Sequence, residues 1–234
     1  MRTTFLDWYQ RLGGLGLRLL CLHLLWLAWT LRGGVVLGVF PATAALHGVL
    51  RKDARLAAAN RDEAPAPAGL RAEFGALWRR EFAAANRLGA LLVLCWAFLV
   101  LDRRIVEHLD LGGLGPLLAG GLTVAGVWLG VITALVWPLQ SHFDESARAL
   151  LRRALILTAG RPATAALAGA GVGVMLGAYY LVPGLAPVFG LAAPAAVATT
   201  ALWRSGVLAV PNDPDRPAAA RLVEGSGAEG PRLA

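Results

Sequence analysis

Charge and cysteine are what this chain has least of. Only 16% of its 234 residues are charged, against roughly a quarter in ordinary globular domains. With 57% of residues apolar, an intrinsically disordered chain is excluded, since disorder needs low hydrophobicity. A soluble single domain is excluded too, because 162–203 runs for 42 residues without one charge. Cysteine occurs twice, at Cys21 and Cys95, both inside apolar runs, which leaves no extracellular disulfide framework. Cys21 and His23 lie two apart, on different faces of a helix, and make a poor metal pair. No HExxH, GxSxG or intramembrane carboxylate pair is present. The expectation is therefore a protein that is not an enzyme and that uses neither metal nor cofactor. No cleavable leader is evident, because Arg32-Gly33-Gly34 follows the first Leu-rich run where a small-x-small site would be needed.

What is present is a set of apolar segments. A helix needs about 20 apolar residues, at about 1.5 Å each, to cross some 30 Å of hydrocarbon. The charge-free runs predict an all-α, polytopic transmembrane bundle of six spans, at about 12–31, 35–50, 88–106, 115–138, 163–182 and 185–203. Pro183-Gly184 divides the 42-residue run into the last two. The alternative is five spans, with 12–50 as one tilted, broken helix. Arg18, near the start of the first span, is expected to snorkel to the interface. In the six-span arrangement 19 of the 22 Lys and Arg residues fall on the side of the termini and 3 on the other. Both termini are then expected in the cytoplasm of a bacterium, with the protein in the plasma membrane. The net charge of +7 is accounted for by flanks facing anionic lipid, and nucleic acid is not an expected partner.

Between the spans, Ala- and Pro-rich 57–69 reads as a linker. It precedes a helix at about 70–87, whose Leu70, Phe74, Leu77, Trp78 and Phe82 recur at helical spacing. A second such helix is expected at about 144–160, with Asp144 as N-cap. Both are read as cytoplasmic, interfacial and amphipathic. They either lie on membrane lipid or dock a partner, with Trp78, Arg79, Arg80, Glu81, Asn86, Arg152 and Arg153 as the docking candidates. The last segment, 209–234, reads as a disordered cytoplasmic tail.

Within the spans, Pro41 removes one backbone donor and frees the carbonyl four residues back, so it should kink the second span or mark a half-helix. Phe40, Pro41 and Thr43 form this candidate, with the Thr43 hydroxyl available to freed backbone groups. His23, Trp26, Trp29 and His47 are the polar or aromatic side chains expected to line an internal surface. Gly169, Gly173 and Gly177 repeat at the four-residue spacing that lets helices approach closely in lipid, within the bundle or between two copies. Trp8, Tyr9, Trp137, Tyr179, Tyr180 and Trp203 are expected as interfacial anchors.

The stretch GVVLGVFPATAALHGVLRK, preceded by LLWLAWTL, resembles the signature of the YesL-like family of bacterial integral membrane proteins (domain of unknown function 624). EFAAANRLGALLVL followed by Asp102, and ITALVWPLQSHFDESARALLRRALIL, resemble two further segments of that family. His142 stands where the family usually carries a basic residue, so that charge is not carried over. The resemblance covers about 15–204. Members of the family are often encoded beside sugar-transport and polysaccharide-utilisation genes. It therefore implies a non-enzymatic accessory or permease-like component of carbohydrate uptake, with transporter subunits or an ATPase as partners. Ala84, Ala85 and Gly89 match part of the EAA-x3-G element by which permeases engage an ATPase, although Phe82 interrupts its start. The other reading is a self-associating scaffold, a homo-oligomer, or a lipid-interacting protein.

Overall fold

The computed structural model describes the backbone of residues 2–58, 67–109 and 112–206, and the side chains of these except 2–12, 58, 67 and 68. The expected tail at 209–234, most of the 57–69 linker, and the side chains of Trp8 and Tyr9 lie outside the described residues. The described residues form eight helices and no strand: α1 (Arg2–Arg32), α2 (Val36–Ala58), α3 (Pro67–His108), α4 (Leu114–His142), α5 (Ala147–Gly160), α6 (Pro162–Leu181), α7 (Leu185–Phe189) and α8 (Ala192–Arg204).

The chain reverses between α1 and α2 through Gly34 (φ 73°) and Val35 (φ 61°). Left-handed backbone favours glycine and is strained for a β-branched residue. The two helices then close tightly, for a Cβ on Gly38 would collide with the Thr30 carbonyl. Residues at comparable distances on either side of this turn face each other. Trp26 meets Thr43, and Arg18 holds Asp53 through two hydrogen bonds of 2.9 and 2.7 Å. Thus 12–31 and 35–50 are two antiparallel helices, and the single broken span is ruled out. Arg18 has an ion-pair partner inside the protein where snorkelling alone was expected.

The helix expected at 70–87 and the span expected at 88–106 are one unbroken helix, α3. Its first half runs antiparallel along α2, as the pairs Lys52–Glu73 (2.9 Å) and Gly48–Leu77 show. Leu70, Phe74, Ala85 and Leu88 are buried, so this apolar face packs on protein and not on a lipid surface. No glycine or proline interrupts 70–87 beyond Gly75, and Gly75 is needed because the Trp29 ring lies against it. Beyond Leu92 the side chains of α3 meet α4. Trp96 donates to Thr133 and Leu99 faces Gly126, while Phe98, Val100 and Leu101 are exposed.

The later helices continue the antiparallel alternation. Val131 of α4 packs on Gly169 of α6. Tyr179 donates to the Gly190 carbonyl at 2.8 Å, and Arg161 to the Ser205 carbonyl at 3.1 Å, which sets α8 back along α6. The expected second interfacial helix is α5, capped by Ser146 and not Asp144. Ser146 is the extended residue directly before the helix, so its hydroxyl reaches the Ala149 amide (3.4 Å). Leu150, Ala154 and Thr158 are buried against the bundle. The expected span at 185–203 is broken into α7 and α8 at Gly190 (φ 34°), where the His23 ring occupies the space a side chain would need. Trp137, expected at an interface, is buried beside Phe40.

Among the described residues, four helices are long and apolar enough to cross a membrane: Gly13–Arg32 within α1, Gly69–His108 within α3, α4 and α6. The second and sixth expected spans are not among them. The end of α2 carries Arg51, Lys52, Asp53 and Arg55, and the 13 residues of α8 reach only about 20 Å. Both instead form the centre, with 41–47 of α2 and 192–195 of α8 continuously buried.

Relieving the strain at the turn should stabilise the protein. Val35→Asn, which tolerates left-handed backbone, is expected to add about 1 kcal/mol, read as a higher melting midpoint in detergent. Val35→Ile should not raise it.

Candidate functional site

The most built part of the molecule surrounds α2. Pro41 has no amide to give the carbonyl of Leu37, yet α2 continues through it without interruption. The amide of Asn86, on α3, donates to that carbonyl at 3.1 Å and to Phe82 of its own helix at 2.8 Å. Thr43, buried, donates to the Val39 carbonyl (2.8 Å) and accepts from Trp26 Nε1 (3.1 Å). The lost main-chain bond is thereby replaced by the Asn86 side chain from α3, while Thr43 ties Trp26 of α1 to the same stretch of α2.

Around this spine lies a cavity of about 390 Å³ whose wall includes Phe40, Thr43 and His47 of α2, Trp96 of α3, Thr133 and Trp137 of α4, Leu176 of α6, and Ala195 and Ala198 of α8. Phe40 stacks on Trp137 with ring centroids 6.2 Å apart. His47 is 3% exposed, and its Nδ1 lies 3.0 Å from the Thr199 hydroxyl. Trp96 donates to Thr133 (3.1 Å), and Thr133 donates to the Leu129 carbonyl (2.7 Å). The wall is otherwise aliphatic and aromatic.

Of the side chains singled out in the sequence, Phe40, Thr43 and His47 meet at this cavity, Pro41 is buried behind it, and Trp26 reaches it through Thr43. His23 stacks on Trp26, 5.9 Å between centroids, and touches Gly190. Trp29 lies elsewhere, against Trp78 (5.4 Å), with Arg32 over its ring at 5.3 Å. It borders a second, amphipathic cleft with Arg32 and Arg71. Trp78 packs in turn on Phe82 (4.9 Å). Arg79, Arg80 and Arg152 are exposed, and Arg80 pairs with Glu81 at 2.9 Å. Arg153 pairs with Glu145 and lies 4.0 Å over Phe143. Gly169 meets α4 and Gly171, not singled out, meets Val197 of α8. Gly173 and Gly177 face open space.

Three features escaped the sequence reading. The first is the Arg18–Asp53 pair, whose opposite charges stand at comparable distances on either side of the Gly34–Val35 turn. That opposition was the available signal. The second is Asn86 as the partner of the Pro41 gap, for which a single sequence holds no signal. The third is the cluster at the far end of α2. There Arg51 donates to the Ser141 carbonyl, and the buried Gln140 amide faces Glu81 at 3.5 Å. Burial, with Arg55 and Arg80 nearby, pushes the Arg51 guanidinium down from its ordinary value, and Glu81 opposes this.

The family model described as "Protein of unknown function, DUF624" matches residues 19–103, which include Pro41, Thr43, His47 and Asn86. The chain is 32% identical over 160 residues to uncharacterized protein YesL of Bacillus subtilis (strain 168), covering 68% of this chain and 71% of the relative. It is 29% identical over 169 residues to uncharacterized protein YesV of the same organism (71% and 76% covered), and 31% identical over 138 residues to uncharacterized protein YteU (58% and 57%). No solved structure matches the chain.

The Asn86–Pro41 relation is open to a double-mutant test. Asn86→Leu should cost about 1–3 kcal/mol by leaving the Leu37 carbonyl unpaired. In a Pro41→Ala background, where α2 supplies its own amide, the same change should cost clearly less. Equal losses of melting free energy in both backgrounds would show that Asn86 does not serve the gap.

Proposed function

The chain belongs to the DUF624 family, and on that premise we propose that it is a multi-pass, non-enzymatic protein of the bacterial plasma membrane, an accessory component of carbohydrate uptake. The carbohydrate assignment rests on the resemblance of its motifs to that family. The observation that favours an accessory over a sugar-conducting role is the chemistry of the central cavity. Thr43, Trp96, Thr133 and His47 are all bonded within the protein, and the remaining wall is almost wholly apolar. A sugar entering it would lose its water without replacement hydrogen bonds. The exposed Arg79, Arg80 and Arg152, on helices α3 and α5 that pack together, offer a basic surface for a transporter subunit or an ATPase. Cytoplasmic placement of that surface and of both termini is supported by the 19-to-3 distribution of basic residues and by the antiparallel alternation of the helices.

A second reading, a self-associating scaffold, is favoured by one observation: Gly173 and Gly177 are exposed on α6 with nothing near a built Cβ.

Capture of the full chain from native membranes in mild detergent is expected to bring down transporter subunits or an ATPase. Changing Arg79, Arg80 and Arg152 to Glu should lower that yield severalfold at unchanged melting midpoint. Reproducible capture without any transport component would sink the accessory reading. For the scaffold, Gly173→Leu should dissolve a detergent-stable oligomer, and a wild type that is monomeric at all concentrations would end it.

A further inference from the structure

The central cavity is open at its side. Val93 of α3 and Leu176 of α6 both line it, and both are 55% exposed. Each belongs to a helix long and apolar enough to cross a membrane, and an opening between two such helices at bilayer depth meets hydrocarbon and not water. The α2 wall runs from Val39 to His47, about 12 Å of depth at the helical rise of about 1.5 Å per residue. Its volume of about 390 Å³ falls within the range of small-ligand sites, roughly 300–1,000 Å³.

The polar side chains on the wall are tied within the protein, His47 through its Nδ1, and they make up a small part of the lining. Trp96 and Thr133 are bonded to each other, Thr43 to Trp26 and the Val39 carbonyl, and His47 to Thr199. What a guest meets is methyl, methylene and ring surface. Leaving such a space empty forfeits the dispersion contacts of everything lining it, and the material at the entrance able to fill it is alkyl chain. We propose that the cavity binds one acyl chain of a bilayer phospholipid, admitted sideways between α3 and α6 with the headgroup remaining outside. The site is a property of the fold and stands apart from the uptake role. An accessory protein without lipid in this cavity and a lipid-binding protein without transport partners are separately detectable.

The test uses the full chain in nanodiscs containing a phospholipid with a diazirine near the end of one acyl chain. Irradiation and residue-level mapping should place label on Val39, Ala134, Val172 and Ala195, lining residues, severalfold above Leu117 and Val124, which face outward on α4 at 72% and 67% exposure. Excess unlabelled phospholipid should remove the cavity signal first. Gly130 lines the cavity and has nothing within 4 Å of a built Cβ. Gly130→Leu should therefore fill part of the cavity without disturbing the bundle, and lower cavity labelling severalfold while Leu117 and Val124 stay unchanged. Wild-type labelling of the cavity no greater than that of Leu117 and Val124 would overturn the proposal, whether or not the variant folds. So would unchanged cavity labelling in a folded Gly130→Leu protein, or labelling by a diazirine-bearing isoprenoid alcohol but not by the phospholipid.

Discussion

A helix that carries proline at its sixth residue and is continuously buried from Pro41 to His47 runs unbroken only by borrowing a hydrogen-bond donor, and much of this structure follows from where α2 finds one. The Asn86 amide reaches the Leu37 carbonyl only if α3 lies directly along α2 at that level. That contact, with Gly89 closing on Phe40 and Lys52 on Glu73, fixes both the direction and the register of α3. Once α3 is placed, α4 follows from the Trp96–Thr133 bond, and the cavity is the space these helices leave against α6 and α8.

The central position of α2 also changes what its apolar residues are for. In lipid, Val, Leu and Ala gain nothing by leaving hydrocarbon for protein, so helices associate through close packing and polar contacts. The α1–α2 turn shows both, in the approach that demands glycine at 38 and in the Arg18–Asp53 and Trp26–Thr43 pairs. The α3–α4 extension shows the opposite case. Past Leu92 its two helices hold each other through a few contacts and expose nearly every other side chain, as segments surrounded by lipid do.

Much of the architecture was legible in the sequence. Apolar runs bounded by charge gave the positions of α1, α4 and α6, because a charge within hydrocarbon is costly wherever the helix packs. The glycine pair at 33–34 gave the first turn. The periodicity of Leu70, Phe74 and Leu77 correctly marked one buried face, but periodicity is the same whether that face meets lipid headgroups or another helix. Hence α3 was divided into a surface helix and a span when it is continuous. The last apolar run was divided at Pro183-Gly184 as expected, but the second break at Gly190 depends on the His23 ring packed there, 167 positions away in the chain. At the candidate site, Phe40, Pro41, Thr43 and His47 were recognisable as unusual residues in an apolar helix. Asn86 as their complement was not, since nothing in one sequence pairs residue 37 with residue 86.

By itself, then, the sequence determined an all-helical chain with apolar helices long enough to cross a membrane, since hydrophobic length and charge placement act locally and need no knowledge of neighbours, and its motifs carried the likeness to the DUF624 family. Only the tertiary structure decided which apolar helices face lipid and which are enclosed, because mean hydropathy is blind to what surrounds a side chain. It likewise decided that the polar groups of α2 are answered from within, and that the space they border is apolar, since both depend on side chains brought together from five helices.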